Sequence, residues 1–341
     1  MDERIVDPGA QDNDKWDDYT FRPKRFDDFI GQEKVKEQLR IAIEAAKSRN
    51  EVLEHVLLSG PQGLGKSTLA NIISHEMDVG VRTTVGPMLV QKMDLAAILT
   101  NLKAGDVLFI DEIHRTRNEI QEMLYPAMED YRLDIILGQG PNARTVPISL
   151  PKFTLVGATT RMGLLSAPFR DRFGINLRLD FYDVEHLSKI IRRDAELLKI
   201  GIDVEGGADR IIASRSRGTP RVAKRMLRRV RDYVQYKGKD IISAEIATKS
   251  LDFYEVDELG LEEMDREILR TIIEKFSGGP VGLSTIAISV NEEDRTVEDA
   301  HEPYLIQAGL ISRTQRGRVA TKLAYDHLDI KIPAHQQELW D

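Results

Sequence analysis

The chain has 341 residues, 41% hydrophobic and 30% charged, with 48 Lys+Arg against 56 Asp+Glu and a formal net charge of −8. That length predicts two or three domains, each able to bury a core. It contains no cysteine, which excludes disulfide scaffolds, thiolate-zinc sites, iron–sulfur clusters and cysteine nucleophiles, and no run approaches the roughly 18–20 apolar residues of a membrane span.

Residues 1–20 carry seven acids and only two bases, Arg4 and Lys15. Few of them are apolar, so the segment is expected to be a flexible acidic tail, neither a secretory signal nor a transit peptide. Cytoplasmic residence is the expectation. From Gln32 to Ser48, Val35, Leu39, Ala42, Ile43 and Ala46 recur at helical spacing. A short apolar strand, His55–Ser59, then leads through a glycine-rich turn into a helix from Ser67. Two more apolar strands are predicted, Asp106–Ile110 ending in Asp111-Glu112, and Phe153–Gly157 ending in Ala158-Thr159-Thr160. Strands alternating with helices, without strict apolar/polar alternation, predict a parallel sheet covered on both faces, an α/β arrangement. Between the second and third strands, Leu133–Leu137 and Val146–Leu150 flank the turn Gly138–Asn142 and read as an inserted hairpin. After Tyr182 the pattern is helical, over Val184–Leu198, Gly207–Ser214, Arg221–Tyr236 and Ala244–Leu251. A last unit has helices around Asp265–Phe276, Leu283–Val290 and Val297–Gln307, then two short strands about a polar RTQRG turn, the outline of a winged helix. The expected divisions are a tail (1–20), a large α/β domain (21–182), a small helical domain (183–256), a winged-helix head (257–332) and a C-terminal tail (333–341).

Gly60 to Ser67 fits GxxxxGK[ST] without exception, between a predicted strand and helix as that motif requires. Glycines let backbone N–H groups curl around phosphates, and the following helix presents its positive end to them. Lys66 would neutralise the β/γ-phosphates, while the Ser67 hydroxyl would ligate Mg²⁺. The bland alternative is an ordinary glycine-rich turn. In Val107–Glu112 an apolar strand ends in two acids, which divide naturally into a magnesium-orienting Asp111 and a water-polarising Glu112. A helix N-terminus stabilised by carboxylates is the alternative there. Two basic clusters stand out against the acidic total, Arg221–Arg231 with six bases and Arg313–Lys322 with four.

GPQGLGKST, LFIDEIHR, YPAMEDY, GATTR, SAPFRDRFG, RGTPRVAKR and GGPVGL follow one another in this order. With them the chain closely resembles the RuvB family of bacterial Holliday-junction branch-migration motors, a branch of the AAA+ ring-forming P-loop ATPases, from about Phe21 to Leu328. The resemblance implies an AAA+ ATPase domain, a small helical lid and a C-terminal winged helix. It implies ATP and Mg²⁺ as ligands, with Phe21, Arg22 and Tyr182 around the adenine and Gly63, Gly65, Lys66, Ser67 and Thr68 at the phosphates. Glu129, Asp130 and Tyr131 also lie near the nucleotide in the family. Thr160 would be the sensor of the γ-phosphate, with Thr159 as the adjacent alternative. Arg172 would be an arginine finger acting on a neighbouring subunit's nucleotide, against the alternative of a salt bridge with Asp171 or another local acid. Arg221 would be a second sensor, while the other bases of its cluster lie beside a buried stripe of Val222, Met226, Leu227, Val230, Tyr233 and Val234.

The same resemblance places Arg313, Arg316 and Arg318 on a wing facing DNA phosphates, a solvated hairpin being the alternative, with Arg295 a weaker candidate. Such contacts carry no sequence information, which suits a motor that crosses any sequence. Ile135, Ile136 and Leu137 of the hairpin would dock a RuvA-like junction-binding partner, unless that arm simply pairs into the core. A homo-hexamer on duplex DNA at four-way junctions and a RuvC-like resolvase complete the implied partners, and no membrane is among them. Val90 and Met93 depart from the family's usual acid and glycine in their loop. The rival reading is a nucleotide-switched DNA-binding regulator without a motor cycle; an AAA+ unfoldase lacks support because no aromatic pore-loop motif is evident.

Overall fold

The computed structural model describes residues 22–137 and 144–332, and the side chains of 136, 137, 144 and 145 are outside that description. The chain divides into two compact units, Met1–Phe181 and Tyr182–Asp341.

The first unit is built on a five-stranded parallel sheet in the order β2-β3-β6-β1-β7. The strands are β1 (Val56–Ser59), β2 (Val81–Val85), β3 (Val107–Asp111), β6 (Thr154–Thr159) and β7 (Ile175–Arg178). Every residue of β1 and β6 is buried, as is β3 up to Ile110, so the centre of the sheet is apolar on both faces. The edge strands differ. β2 begins Val-Arg-Thr, all exposed, and β7 alternates without a buried run, which is why neither was apparent as a strand in the sequence. Helix α1 (Glu33–Arg49) buries Val35, Leu39, Ile43 and Ala46, the stripe its spacing predicts. It ends at Asn50, whose left-handed backbone lets Glu51 N–H return to the Ala46 carbonyl at 2.9 Å.

Helices α2 (Lys66–Met77), α3 (Lys92–Thr100), α4 (Asn118–Glu129) and α5 (Ala167–Arg170) complete the unit. β4 (Arg132–Leu137) and β5 (Arg144–Ser149) pair antiparallel over six residues. That hairpin sits beside the core rather than apart from it: Leu133 is buried, and Ile135 and Ile148 pack against the main apolar cluster. The Val90–Met93 loop leaves both side chains exposed, and Gln91 and Asp94 close a capping box at the start of α3.

The second unit opens with α6 (Val184–Leu197), α7 (Ala208–Ser214), α8 (Pro220–Tyr236) and α9 (Ala244–Phe253), with the two-residue strands β8 (Gly201–Ile202) and β9 (Ile241–Ile242) paired in parallel. Asp183, Thr219 and Ser243 each accept an N–H of the helix they precede, the N-cap chemistry that Asp, Thr and Ser favour. α8 buries Ala223, Met226, Leu227, Val230 and Val234.

Next come α10 (Glu263–Arg270), α11 (Leu283–Ser289), α12 (Asp294–Thr296), α13 (Glu302–Gln307), the hairpin β10 (Ile311–Thr314) and β11 (Gly317–Ala320), and α14 (Lys322–His327). α12 runs into α13 through a π-turn, Val297–His301. Val281 bridges to Arg318 and adds a third strand edge to the wing. Polar groups tie these helices to the preceding ones. Arg217 donates to Asp265 at 2.5 Å and to the Gly260 carbonyl at 2.8 Å, and His301 lies 2.6 Å from the other oxygen of Asp265. Asp265 is wholly buried. Arg215 reaches Asp252 and the Val256 carbonyl, and His327 reaches Asp257.

Candidate functional site

β1 delivers the chain to Gly60, whose φ of +136° is open to glycine and costly for other residues. A Cβ there would run into the Leu179 carbonyl oxygen, well inside van der Waals contact. Gly63 and Gly65 also have positive φ, 77° and 101°, a backbone that glycine adopts freely and that lets the loop curl before α2 begins at Lys66. Ser67 and Thr68 follow in the first turn of α2, half-buried. Lys66 is buried and donates to the Gly60 and Pro61 carbonyls at 2.8 and 2.7 Å. Burial pushes its pKa down, while the nearby Asp111 and Glu112 carboxylates pull it back up. A buried ammonium held by loop carbonyls, facing two acids, suits a site for a polyanion that brings a divalent cation.

The acids stand at the carboxyl end of β3, one strand from β1, with β6 between them. In open α/β sheets this end is where ligands bind. Glu112 N–H donates to Asp111 Oδ1 at 2.9 Å, and Glu112 adopts a left-handed backbone, φ 48°. Thr160 Oγ1 donates to Glu112 Oε2 at 3.3 Å, and His114 Nδ1 lies 3.2 Å from the same oxygen. Thr159 is different. It is fully buried, hydrogen-bonds His114 at 3.0 Å and accepts from Arg161 N–H at 3.0 Å. Of the two threonines the sequence left open, Thr160 is the one turned to the acidic pair. His114 was not singled out from the sequence; its position two residues after Glu112, past the strand end, was the available signal.

Arg172 follows α5, and the carboxylate it meets is Glu129 at 3.2 Å, 43 residues away in the chain. Its Nη1 donates to the Pro168 carbonyl at 2.6 Å, and its guanidinium carbon stands 4.1 Å from the Tyr125 ring centre. Glu129 and Asp130 are exposed at the end of α4. Tyr131, with φ 51°, turns back against His55 and Phe153, and burial raises its phenol pKa. Arg22 is half-buried, and Phe21 lies outside the described residues.

In the second unit, Tyr182 is buried and its N–H donates to the Gly218 carbonyl at 2.8 Å. Arg221 is exposed in the first turn of α8. Other bases of its cluster are engaged locally: Lys224 with Asp194, Arg225 with Glu262, Arg231 with Asp232, and Arg229 over the Tyr254 ring.

The wing corrects one expectation. Arg313, Arg316 and Arg295 are exposed, as a phosphate contact needs. Arg318 is buried and grips Glu302 with two hydrogen bonds, Nε at 3.1 Å and Nη2 at 2.7 Å. Its guanidinium is engaged inside the domain, unlike the exposed Arg313 and Arg316. Arg318 lies opposite Arg313 on the same face of the hairpin; Arg318 makes the two hydrogen bonds to the buried Glu302 of α13, while Arg313 stays exposed, 4.0 Å from it. The hairpin of the first unit needs a similar correction. Ile135 is half-buried against the core and is not a free apolar contact, while the side chains of Ile136 and Leu137 lie outside the described residues.

A parallel sheet whose strand ends gather a P-loop, an acidic pair and a threonine, followed by a helical lid and a winged helix, defines a AAA+ P-loop ATPase with a nucleic-acid-binding head. Family models agree with this outline. The Holliday junction DNA helicase RuvB P-loop domain matches residues 21–179, the RuvB AAA lid domain 182–257, and the RuvB C-terminal winged helix domain 258–329. Among solved structures, the Thermotoga maritima RuvB Holliday junction branch migration motor is 51% identical, covers 92% of this chain and 99% of its own, and superposes with a TM-score of 0.85. A lysine-to-arginine variant of that protein gives 51% identity, 92% and 100% coverage and a TM-score of 0.86. The chain belongs to the RuvB family. Among the described residues, no helix is long and apolar enough to cross a membrane.

Proposed function

We propose that this RuvB-family ATPase works as a hexameric ring on duplex DNA, in the cytoplasm, driving branch migration of four-way junctions during homologous recombination and repair. Its partners in this reading are a RuvA-like junction-binding protein and a RuvC-like resolvase. The large domain is 21–182, the lid 183–256 and the winged-helix head 257–332. The observation that carries the reading is the hydrolytic set around Glu112. A carboxylate held by Thr160 and His114, beside a buried lysine, is equipped to orient and deprotonate a water. A regulator that only senses nucleotide has no use for such a base.

ATP is the substrate, and the loop N–H groups, Lys66 and Thr68 bind its phosphates, with Phe21 and Arg22 at the adenine; Tyr182 keeps the adenine role and Arg221 the second-sensor role that the family resemblance gives them. Ser67 and Asp111 are oxygen donors of the kind Mg²⁺ takes, and the ion would neutralise phosphate charge there. Thr160 holds Glu112 in place for the attacking water. The contacts of Arg172 are with Pro168, Glu129 and Tyr125, none of them part of the phosphate loop. That supports action on a neighbour's nucleotide, where an added cation stabilises the transferring phosphoryl group. Arg313 and Arg316, with Arg295, contact DNA phosphates.

The test is ATP-dependent strand movement on a synthetic four-way junction, with and without the junction-binding partner. Dissociated arms that require ATP hydrolysis are expected. An oligomer that hydrolyses ATP yet moves no strand with the partner present overturns the proposal.

A further inference from the structure

We infer that Tyr125 is a positioning residue for the arginine finger, a platform that fixes the Arg172 guanidinium before it meets a neighbour's nucleotide. This rests on the reading of Arg172 as that finger. The stack is the shortest cation–ring distance among the described residues, 4.1 Å against 5.4 Å or more elsewhere. The platform is itself held. Its ring tilts against the buried Phe169 at 5.8 Å, and its hydroxyl lies 3.4 Å from Ser166 Oγ. Pro168, which accepts from Nη1 at 2.6 Å, belongs to the same short segment. The guanidinium is therefore clamped between α4 below and the α5 segment beside it.

A stack suits this task better than a second ion pair would. It holds the face of the guanidinium and leaves the in-plane donors for an anion. Among the described residues Nη2 makes no hydrogen bond, and Nε meets Glu129 as an ion pair without an aligned hydrogen bond. Glu129 is more than half exposed, at 55%, so that contact is weak and readily exchanged for a phosphate. Tyr125 and Glu129 stand one turn apart on α4. One fixes where the arginine lies, and the other occupies its charge until the neighbour arrives. Arginine has five in-plane donors but a long, rotamer-rich side chain whose freedom must be lost; pre-ordering by the ring removes part of that cost before the transition state.

The experiment uses the full chain, assembled on duplex DNA, with ATP hydrolysis followed for Tyr125→Phe, Tyr125→Leu, Arg172→Ala and the Tyr125→Leu/Arg172→Ala pair. Tyr125→Leu is expected to lower kcat by about 2- to 30-fold, the range of a cation–ring contact at tenfold per 1.4 kcal/mol. KM for ATP should hardly move, because the finger acts on the transition state. Tyr125→Phe keeps the ring and should retain near-normal turnover. On the Arg172→Ala background, Tyr125→Leu should cost nothing further. Full loss on that background, or normal kcat in Tyr125→Leu while Arg172→Ala is impaired, overturns the inference. Normal turnover in Arg172→Ala overturns the finger reading instead. Should Tyr125→Leu not fold, Tyr125→Met fills the same space without an aromatic face and is read the same way.

Discussion

Arg318→Ala separates a structural arginine from a DNA-binding one. In the wild type, Arg318 is 8% exposed and Glu302 3%, joined by hydrogen bonds of 2.7 and 3.1 Å. Removing the arginine leaves a buried carboxylate without its main partner, a change that typically costs about 3–5 kcal/mol. Arg313 Nη1, 4.0 Å from the same carboxylate, offers partial compensation and favours the lower end. A unit the size of Tyr182–Asp341 loses about 2–4 °C of Tm per kcal/mol, so a fall of about 6–20 °C is expected for its transition by scanning calorimetry. Arg313→Ala should leave that transition nearly unmoved, since Arg313 is itself exposed and its pairs, 3.6 Å to Glu298 and 4.0 Å to Glu302, are long ones worth about 0–1 kcal/mol. Replacing the pair together, Arg318→Met with Glu302→Leu, should recover most of the loss, because no charge is then left buried. An unchanged Tm in Arg318→Ala, with weaker duplex binding and a salt slope reduced by about one, refutes the argument and returns Arg318 to the DNA interface.

Other expectations follow from single contacts. The double change Arg313→Ala/Arg316→Ala should weaken binding equally across duplex sequences and flatten the salt dependence by about two units, with folding intact; a sequence-selective loss in a titration series counts against it. Thr160→Val should lower kcat for ATP with little change in KM. Thr159→Val, by contrast, removes a fully buried hydroxyl that bonds His114 and accepts from the Arg161 N–H, and should cost about 1–3 kcal/mol in urea unfolding; the opposite pattern would reassign the sensor. Gly60→Ala forces a methyl group toward the Leu179 carbonyl at φ +136°, adding about 1–3 kcal/mol of strain, and nucleotide binding measured by fluorescent analogue should fall with it. Arg217→Ala removes the guanidinium from the buried Asp265 and leaves His301 as its other side-chain partner. Faster amide exchange is expected at the start of α10, and unchanged exchange there would show that the contact does not couple the lid to the head.

What sequence alone determined here is whatever depends on neighbours in the chain. The P-loop, the acidic pair and the helix stripes are local patterns, and the central strands announce themselves because burial on both faces makes them uniformly apolar. The edge strands β2 and β7 were hidden because an edge needs burial on neither side, so Val-Arg-Thr-Thr-Val reads like a loop. The choice between Thr159 and Thr160 also waited for the fold. Adjacent residues at the end of a strand point to opposite faces, and only the sheet says which face holds Glu112. The arginines show the same division most clearly. Arg313, Arg316 and Arg318 look alike in a basic run, yet Glu302 arrives from a helix to take Arg318 out of play. Arg172 likewise meets Tyr125 and Glu129 from a helix more than forty residues upstream. Charge is written in the sequence, but whether a charge is neutralised inside or left for a ligand depends on which distant group the fold brings within hydrogen-bonding reach.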